Sequence, residues 1–318
     1  MARFLFSRIL QLIPTLFVVA VIVFFVTRLL PGNPAAVMLG PQASVEDVEK
    51  YTEELGLNEP VITQFFNYIW DLITLNFGNS LSYNAPIIDL ILERFPNTII
   101  LAISALILAI IVGIPVGILA ARKQNTFLDY LITTFSLVGV SMPIFWLGVM
   151  LVLLFSVNLG LFPATGMGDI TEDPIDFFKH LVLPTIALAT IPMAEFARIV
   201  RSSMIEVLKN DYVKAAKAKG IKNYLVIYKH ALKNAITPLI TVLGLQFSNL
   251  LGGAVLTETI FSWPGMGLLI VDAIERRDFV VVQNTVIFIA FIYVSINLIV
   301  DILYKVVNPK VNLENKKG

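Results

Sequence analysis

"YLITTFSLVGVSMPIFWLGVMLVLLFSVNLGLFPATGMG", residues Tyr130–Gly168, is the stretch on which the fold turns. Its 39 residues carry no charge. A helix needs about 20 apolar residues to cross the hydrocarbon core of a bilayer. The run is therefore either one span with uncharged trimmings or two spans, and the choice sets the side of everything after it.

Outward from it lie four more charge-free runs, Ile9–Thr27, Phe95–Ala121, Asn234–Thr257 and Phe279–Val300. Leu181–Ala194 is shorter and spans only if its helix continues through Glu195 and Arg198, which stand at i, i+3 and could pair. Cationic loops stay in the cytoplasm, so Arg3 and Arg8 hold the N-terminus inside. With one span over the long run, Arg122 and Lys123 fall inside, as does the Arg198–Lys233 region with its nine Lys and Arg. The acidic segments Glu46–Glu59 and Asp169–Asp176 fall outside, and Lys305, Lys310, Lys316 and Lys317 return inside. Two spans would translocate the most basic loop. The sequence thus predicts an all-α membrane protein of six transmembrane helices, both termini cytoplasmic. The spans cover about 9–29, 97–121, 130–158, 180–200, 235–257 and 279–304. Arg28, at the outer end of the first, is a minor violation of the charge rule.

Composition agrees. Only 14% of the 318 residues are charged, against roughly 25% in soluble domains, and mean hydropathy is +0.82. Cysteine is absent, which excludes disulfides and thiolate metal sites. His180 and His230 fall on opposite sides of the membrane, so no metal site is expected, and no motif points to nucleic acid. The first apolar run is too long for a signal peptide and lacks a small-residue cleavage pattern, so it is read as a retained span.

Two loops hold structure. In the external region 30–95, "SVEDVEKYTEELG" opens with Ser44 and Asp47 at capping-box spacing and stops at Gly56. "EPVITQFFNYIWDLI" follows, with Phe65, Phe66, Ile69 and Trp70 as an apolar ridge, giving a small helical cap on the outer membrane surface. In the cytoplasmic loop 201–234, Asp211 suits an N-cap and Gly220 a C′ position. Tyr212, Val213, Ala216 and Gly220 then share a lysine-free strip, and small side chains let another surface approach closely. A second short helix starts after Asn223. The basic loop is also compatible with plain topology signalling or with anionic lipid.

The Ala215-Ala216-x-x-x-Gly220 spacing resembles the cytoplasmic loop of permease subunits of ABC importers. Lys214 stands where the broad consensus has glutamate, and the loop's proline falls at Pro238, as in peptide-type permeases. "RILQLIPTLFVVAVIVFFVTRLLPGNPA", "FGNSL", "RFPNTIILA", "SMPIFWLG" and "GAVLTETIFSWPGMGLLIVDAIERRDFVVVQ" are similar to successive blocks of dipeptide and oligopeptide permeases, in order along nearly the whole chain. The resemblance implies a MetI-like permease fold in a prokaryotic inner membrane. It implies a coupling helix at Asp211, Tyr212, Ala215, Ala216 and Gly220 that fits a cleft in a cytoplasmic ATPase. It also implies a dock for an external binding protein near Trp263, Pro264 and Gly265. The expected partners are a second permease subunit, related or identical, and two ATPase subunits that carry ATP and magnesium.

No glycine is followed by lysine, so the chain has no phosphate-binding Gly-Lys-Ser/Thr loop and no cofactor of its own is expected. In the fifth span Gly244, Ser248 and Gly252 recur every four residues, a face for close helix approach between subunits or within one. Gln246 and Asn249 beside them are candidates for the wall of a wet path. An independent carrier would place ionisable groups at mid-membrane, and the deep spans hold almost none. Short peptides are the expected cargo; nickel chelates, glutathione and other small solutes use machinery of the same resemblance.

Overall fold

The computed structural model describes residues 2–29, 34–39, 43–54, 56–80 and 82–307. The turn at residues 31–33 and the lysines at 310, 316 and 317 lie outside them. In chain order the helices are α1 (Ala2–Arg28), α2 (Pro34–Leu39), α3 (Val45–Glu54) and α4 (Val61–Ile73). A hairpin of β1 (Asn79–Ser80) and β2 (Ala85–Pro86) precedes α5 (Ile87–Arg122), α6 (Phe127–Ser141) and α7 (Ile144–Leu151), which runs on as a π-helix to Asn158. Then come α8 (Pro174–Leu208), α9 (Asp211–Ala218), α10 (Asn223–Leu225), α11 (Leu232–Ala235), α12 (Thr237–Ile260), α13 (Met266–Glu275) and α14 (Phe279–Val307).

Five helices, α1, α5, α8, α12 and α14, are long and apolar enough to cross a membrane. Where one helix was expected over 130–158 stand two, α6 and α7 with its π-helical extension. Together they are apolar enough to cross but bent by 103°, the geometry of a broken span or a re-entrant loop. The break is at Met142–Pro143: Met142 leaves the helix at ψ 126°, as a residue before proline prefers, and Pro143 has no N–H to continue the ladder. α5 and α8, at 36 and 35 residues, are about 54 and 52 Å long, well beyond a hydrocarbon core of about 30 Å. Their ends therefore carry polar structure out of the membrane. α8 is capped by Asp173, whose carboxylate accepts the N–H groups of Ile175 and Asp176, with Pro174 in the first turn.

The chain forms two compact units. One comprises Met1–Thr98 and Pro264–Leu298. Its core gathers Ile87 and Ile91 of α5, Met266, Leu269 and Ala273 of α13, and Val281 of α14. The Asn97 side chain donates to the Pro264 carbonyl at 2.8 Å, and the Thr98 hydroxyl accepts the Met266 N–H at 2.9 Å, which sets the start of α13. The hairpin is tied down by Ser80, whose hydroxyl donates to Asp278 at 2.6 Å while Asp278 caps α14 through the Val281 N–H. α3 opens on the expected box, the Ser44 hydroxyl accepting the Asp47 N–H, and closes at Gly56 with φ +62°. α4 leans on α1 through Phe65, whose ring meets Phe17, Phe24 and Phe25.

The second unit comprises Ile99–Trp263 and Ile299–Gly318. α5 and α8 approach closely there: a Cβ at Gly113 would lie 2.6 Å from the Met193 carbonyl oxygen and one at Gly117 2.5 Å from that of Ala197. Only glycine allows that spacing. Phe261 joins Leu183 and Ala187 in a small core, and Trp263 packs against Phe177 with ring centroids 6.0 Å apart.

Candidate functional site

α8 stops at Leu208, and a turn through Lys209 and Asn210 starts α9. Asn210, with extended φ and ψ, is the capping residue; Asp211, expected in that role, is instead the first helical residue, where its carboxylate favours the helix N-terminus and takes the Lys214 ammonium at 2.9 Å. At the other end Gly220 has φ +76°. Its N–H returns to the Lys217 carbonyl and the Ile221 N–H to that of Ala216, a Schellman motif that fixes the stop where the sequence placed it.

The lysine-free strip divides. Val213 is fully buried where α9 meets the π-helical segment Val226–Ala231, and Ala216 is half-buried. Tyr212, Ala215, Ala218 and Gly220 are exposed. The side of α9 open to a partner is thus Ala215, Ala218 and Gly220 flanked by Lys214 and Lys217, while Val213 anchors the helix from behind. The Tyr212 hydroxyl accepts from Asn234 at 2.8 Å, which ties α9 to the approach of α12.

The expected second helix of the loop begins at Asn223 and continues through the π-helical turn into α11. Val226, Ile227, Ala231 and Ala235 are its buried side, and Tyr224 and Tyr228 are exposed. α9 therefore stands on a helical bracket that leads directly into α12.

Along α12 the predicted path residues do not share one face. Gly244 is packed so closely on Val300 of α14 that any Cβ would overlap that side chain. Ser248 is fully buried and donates to the Gly244 carbonyl. Gln246, also buried, donates through its amide to the Glu195 carboxylate of α8. Those three positions are internal packing: Gly244 meets α14 and Gln246 meets α8. Asn249 and Gly252 are exposed, and nothing lies within 4 Å of a Cβ at Gly252. With Leu245 and Leu256 they form an open stripe at i, i+4, i+7 and i+11. Glu195 does not pair with Arg198 among the described residues; its carboxylate accepts the Gln246 amide instead.

The dock residues also differ from expectation. Trp263 and Gly265 are buried and Pro264 half-buried, because the turn is drawn into packing on both of its sides. Ser262 beside them is exposed, and the next exposed run is Ile274–Arg277, at the end of α13.

One pair escaped the sequence reading. Arg201 of α8 grips Asp129 of α6 with two bonds, Nε to Oδ1 at 2.6 Å and Nη2 to Oδ2 at 2.8 Å, and the Asn125 N–H adds a third at 3.0 Å. Asp129 is 1% exposed. A lone acid at the edge of an uncharged run was the available signal, since such a residue is rarely left unpaired near a membrane.

Comparison with known proteins is consistent throughout. The family model described as "Binding-protein-dependent transport system inner membrane component" matches residues 113–313, and the model of the membrane component's N-terminal part matches residues 1–102. The chain is 47% identical to the dipeptide transport system permease protein DppB of Alkalihalophilus pseudofirmus, over 98% of this chain and 99% of that protein. It is 42% identical to the di/tripeptide transport system permease protein DppB of Pseudomonas aeruginosa, over 98% and 99%. Among solved structures, the inward-facing MetNI methionine ABC transporter shares the fold at 16% identity and a TM-score of 0.59, covering 70% of this chain and 98% of the other.

Proposed function

Because this chain belongs to the family of binding-protein-dependent transport system inner membrane components, we propose that it forms half of the translocation path of an ATP-driven importer of short peptides and receives its drive at α9. The family places it as a multi-pass subunit of the bacterial inner membrane that works with ATPase subunits and a substrate-binding protein. Our finer reading is a pairing with a second, related permease subunit over two ATPases, with ATP and magnesium held on those ATPases. Peptide cargo is supported by the relatives above, whose names specify dipeptides and di/tripeptides.

The observation that carries the coupling assignment is the build of α9. It is a two-turn helix with a hard stop at Gly220, an anchored back at Val213, an open face of small side chains and a direct bracket to α12. Such a helix moves as a rigid piece when pushed, and its displacement reaches α8 and α12 together. The binding-protein contact is assigned to the exposed corner Ile274–Arg277 rather than to Trp263.

The test is Gly220→Phe in the assembled transporter. A side chain there meets open space, so the chain itself does not clash, but the left-handed backbone costs about 1–2 kcal/mol and a ring projects from the docking face. ATPase co-purification and uptake of a labelled dipeptide should both fall while the amount of this chain in the membrane is unchanged. Retention of the ATPase with normal uptake would refute the assignment of α9.

A further inference from the structure

At the outer end of α1 a cleft of about 350 Å³ opens between α1, α4, the segment after α4 and the first turns of α14. That volume is in the range of small-ligand pockets. All of its walls belong to the unit built from Met1–Thr98 and Pro264–Leu298.

Its charges are unusual. Arg28, at the outer end of α1, lines it, and so do Glu59 and Asp71. Arg28 stacks on Phe24, with its guanidinium carbon 3.4 Å from the ring centroid, and donates to the Gln64 amide oxygen at 3.1 and 2.7 Å. Among the described residues the Asp71 carboxylate accepts from the Asn76 amide, and the Glu59 carboxylate from that of Asn67. Among the described residues no carboxylate pairs with Arg28 and no cation pairs with Glu59 or Asp71. Every one of these charges is held in place by a neutral amide, which positions it without cancelling it.

Between them stands Tyr68. Its hydroxyl is buried in the wall of the cleft and has no hydrogen-bond partner. Burial pushes the phenol well above the ordinary tyrosine value, against the opposing charge of Arg28, so it stays a donor. A buried polar group without a partner is costly and is normally satisfied by something.

We propose that this cleft is an external subsite for the cargo: Arg28 receives the C-terminal carboxylate of a short peptide, Asp71 and Glu59 its N-terminal ammonium, and Tyr68 a backbone carbonyl. The proposal rests on the peptide reading above. The chemistry it selects is a zwitterion with termini a few bonds apart, held outside the membrane before entry into the path. A zwitterionic lipid headgroup has the same pair of charges and is the competing occupant to be told apart.

The experiment uses the assembled transporter in phosphatidylcholine nanodiscs without binding protein, and a dipeptide bearing a diazirine leucine. After irradiation, label is mapped by mass spectrometry. Expected is label on Tyr68, Leu72 or Phe77, competed by plain dipeptide and reduced about tenfold or more when either terminus of the probe is blocked. Asp71→Asn, which preserves shape and the contact with Asn76, should lower labelling by a similar factor, and Arg28→Lys by less than Arg28→Gln. Label confined to other regions, label indifferent to blocked termini, or label displaced by phosphatidylethanolamine but not by dipeptide would each overturn the subsite. Dipeptide uptake with binding protein present separates the two readings. Normal uptake with an unlabelled cleft rejects the subsite alone, and no uptake by the unaltered transporter rejects the peptide reading and the subsite with it.

Discussion

Asp129 and Arg201 hold α6 to α8 through a forked pair, and the cost of breaking it is set by what is left behind. Asp129→Ala strands a guanidinium beside apolar side chains at Ala197 and Ile132, a situation worth about 3–5 kcal/mol in buried pairs. Arg201 keeps 29% of its side chain exposed, so the lower end, about 3 kcal/mol, is expected. Thermal unfolding of the detergent-purified transporter should show the loss, and the double change Asp129→Leu with Arg201→Met should regain most of it, since two apolar groups of like size leave no charge uncompensated. If Asp129→Ala unfolds where the unaltered transporter does, the pair contributes nothing and the α6–α8 contact rests on packing alone. Neither residue was legible as a partner of the other. They are 72 positions apart, and Arg201 sits among the nine cations that topology already accounts for, so nothing in spacing or charge marks it out. The same holds for Gln246, whose amide looked suited to a wet path until Glu195 was found to occupy it.

α4 shows what a helix boundary can and cannot disclose. Its start at Pro60 and its apolar ridge were readable, because caps and 3.6-residue periodicity are local properties. Which apolar residue faces which neighbour was not. Phe65 turns onto α1, touching Phe17 and Phe24, which stand two turns and about 10 Å apart along that helix. Ile62, Phe66, Trp70 and Ile73 remain 65–71% exposed. A helix laid along the outer half of α1 with that face open is expected to rest in the outer leaflet. The chain has no cysteine, so single cysteines can carry nitroxide labels without background. Labels at Phe66→Cys and Ile73→Cys should relax with bilayer-dissolved oxygen, and one at Asn67→Cys, on the cleft side, with a water-soluble nickel chelate. An aqueous pattern at all three would mean that α4 stands clear of the membrane. The bend between α6 and α7 was hidden for a different reason. An uncharged run reports burial in lipid but no direction, and only Met142–Pro143 marked the corner.

The long apolar helices and their order along the chain were legible because a bilayer imposes length and apolarity, whatever packs against what. Close approach is a property of pairs of helices, and there the small residues of α12 separate into two kinds. Gly244 is filled by Val300 of the same chain, whereas Gly252 faces open space beside Asn249 on a stripe that none of the described residues covers. Gly244→Val should therefore destabilise the subunit: the side chain must displace α14, and overpacking of this kind costs about 1–3 kcal/mol. Its reading is a lower unfolding temperature and less protein in the membrane. Gly252→Val should leave both unchanged, since the chain itself offers no contact, and should reduce dipeptide uptake or the recovery of the second permease subunit with this one. If Gly252→Val has no effect on uptake or assembly, the open stripe faces lipid, and the path must run along another helix. If it lowers stability as Gly244→Val does, α12 and α14 pack differently in the assembled transporter than in the isolated chain. Loss of uptake at undiminished stability and assembly would put Asn249 and Gly252 on the wall of the path.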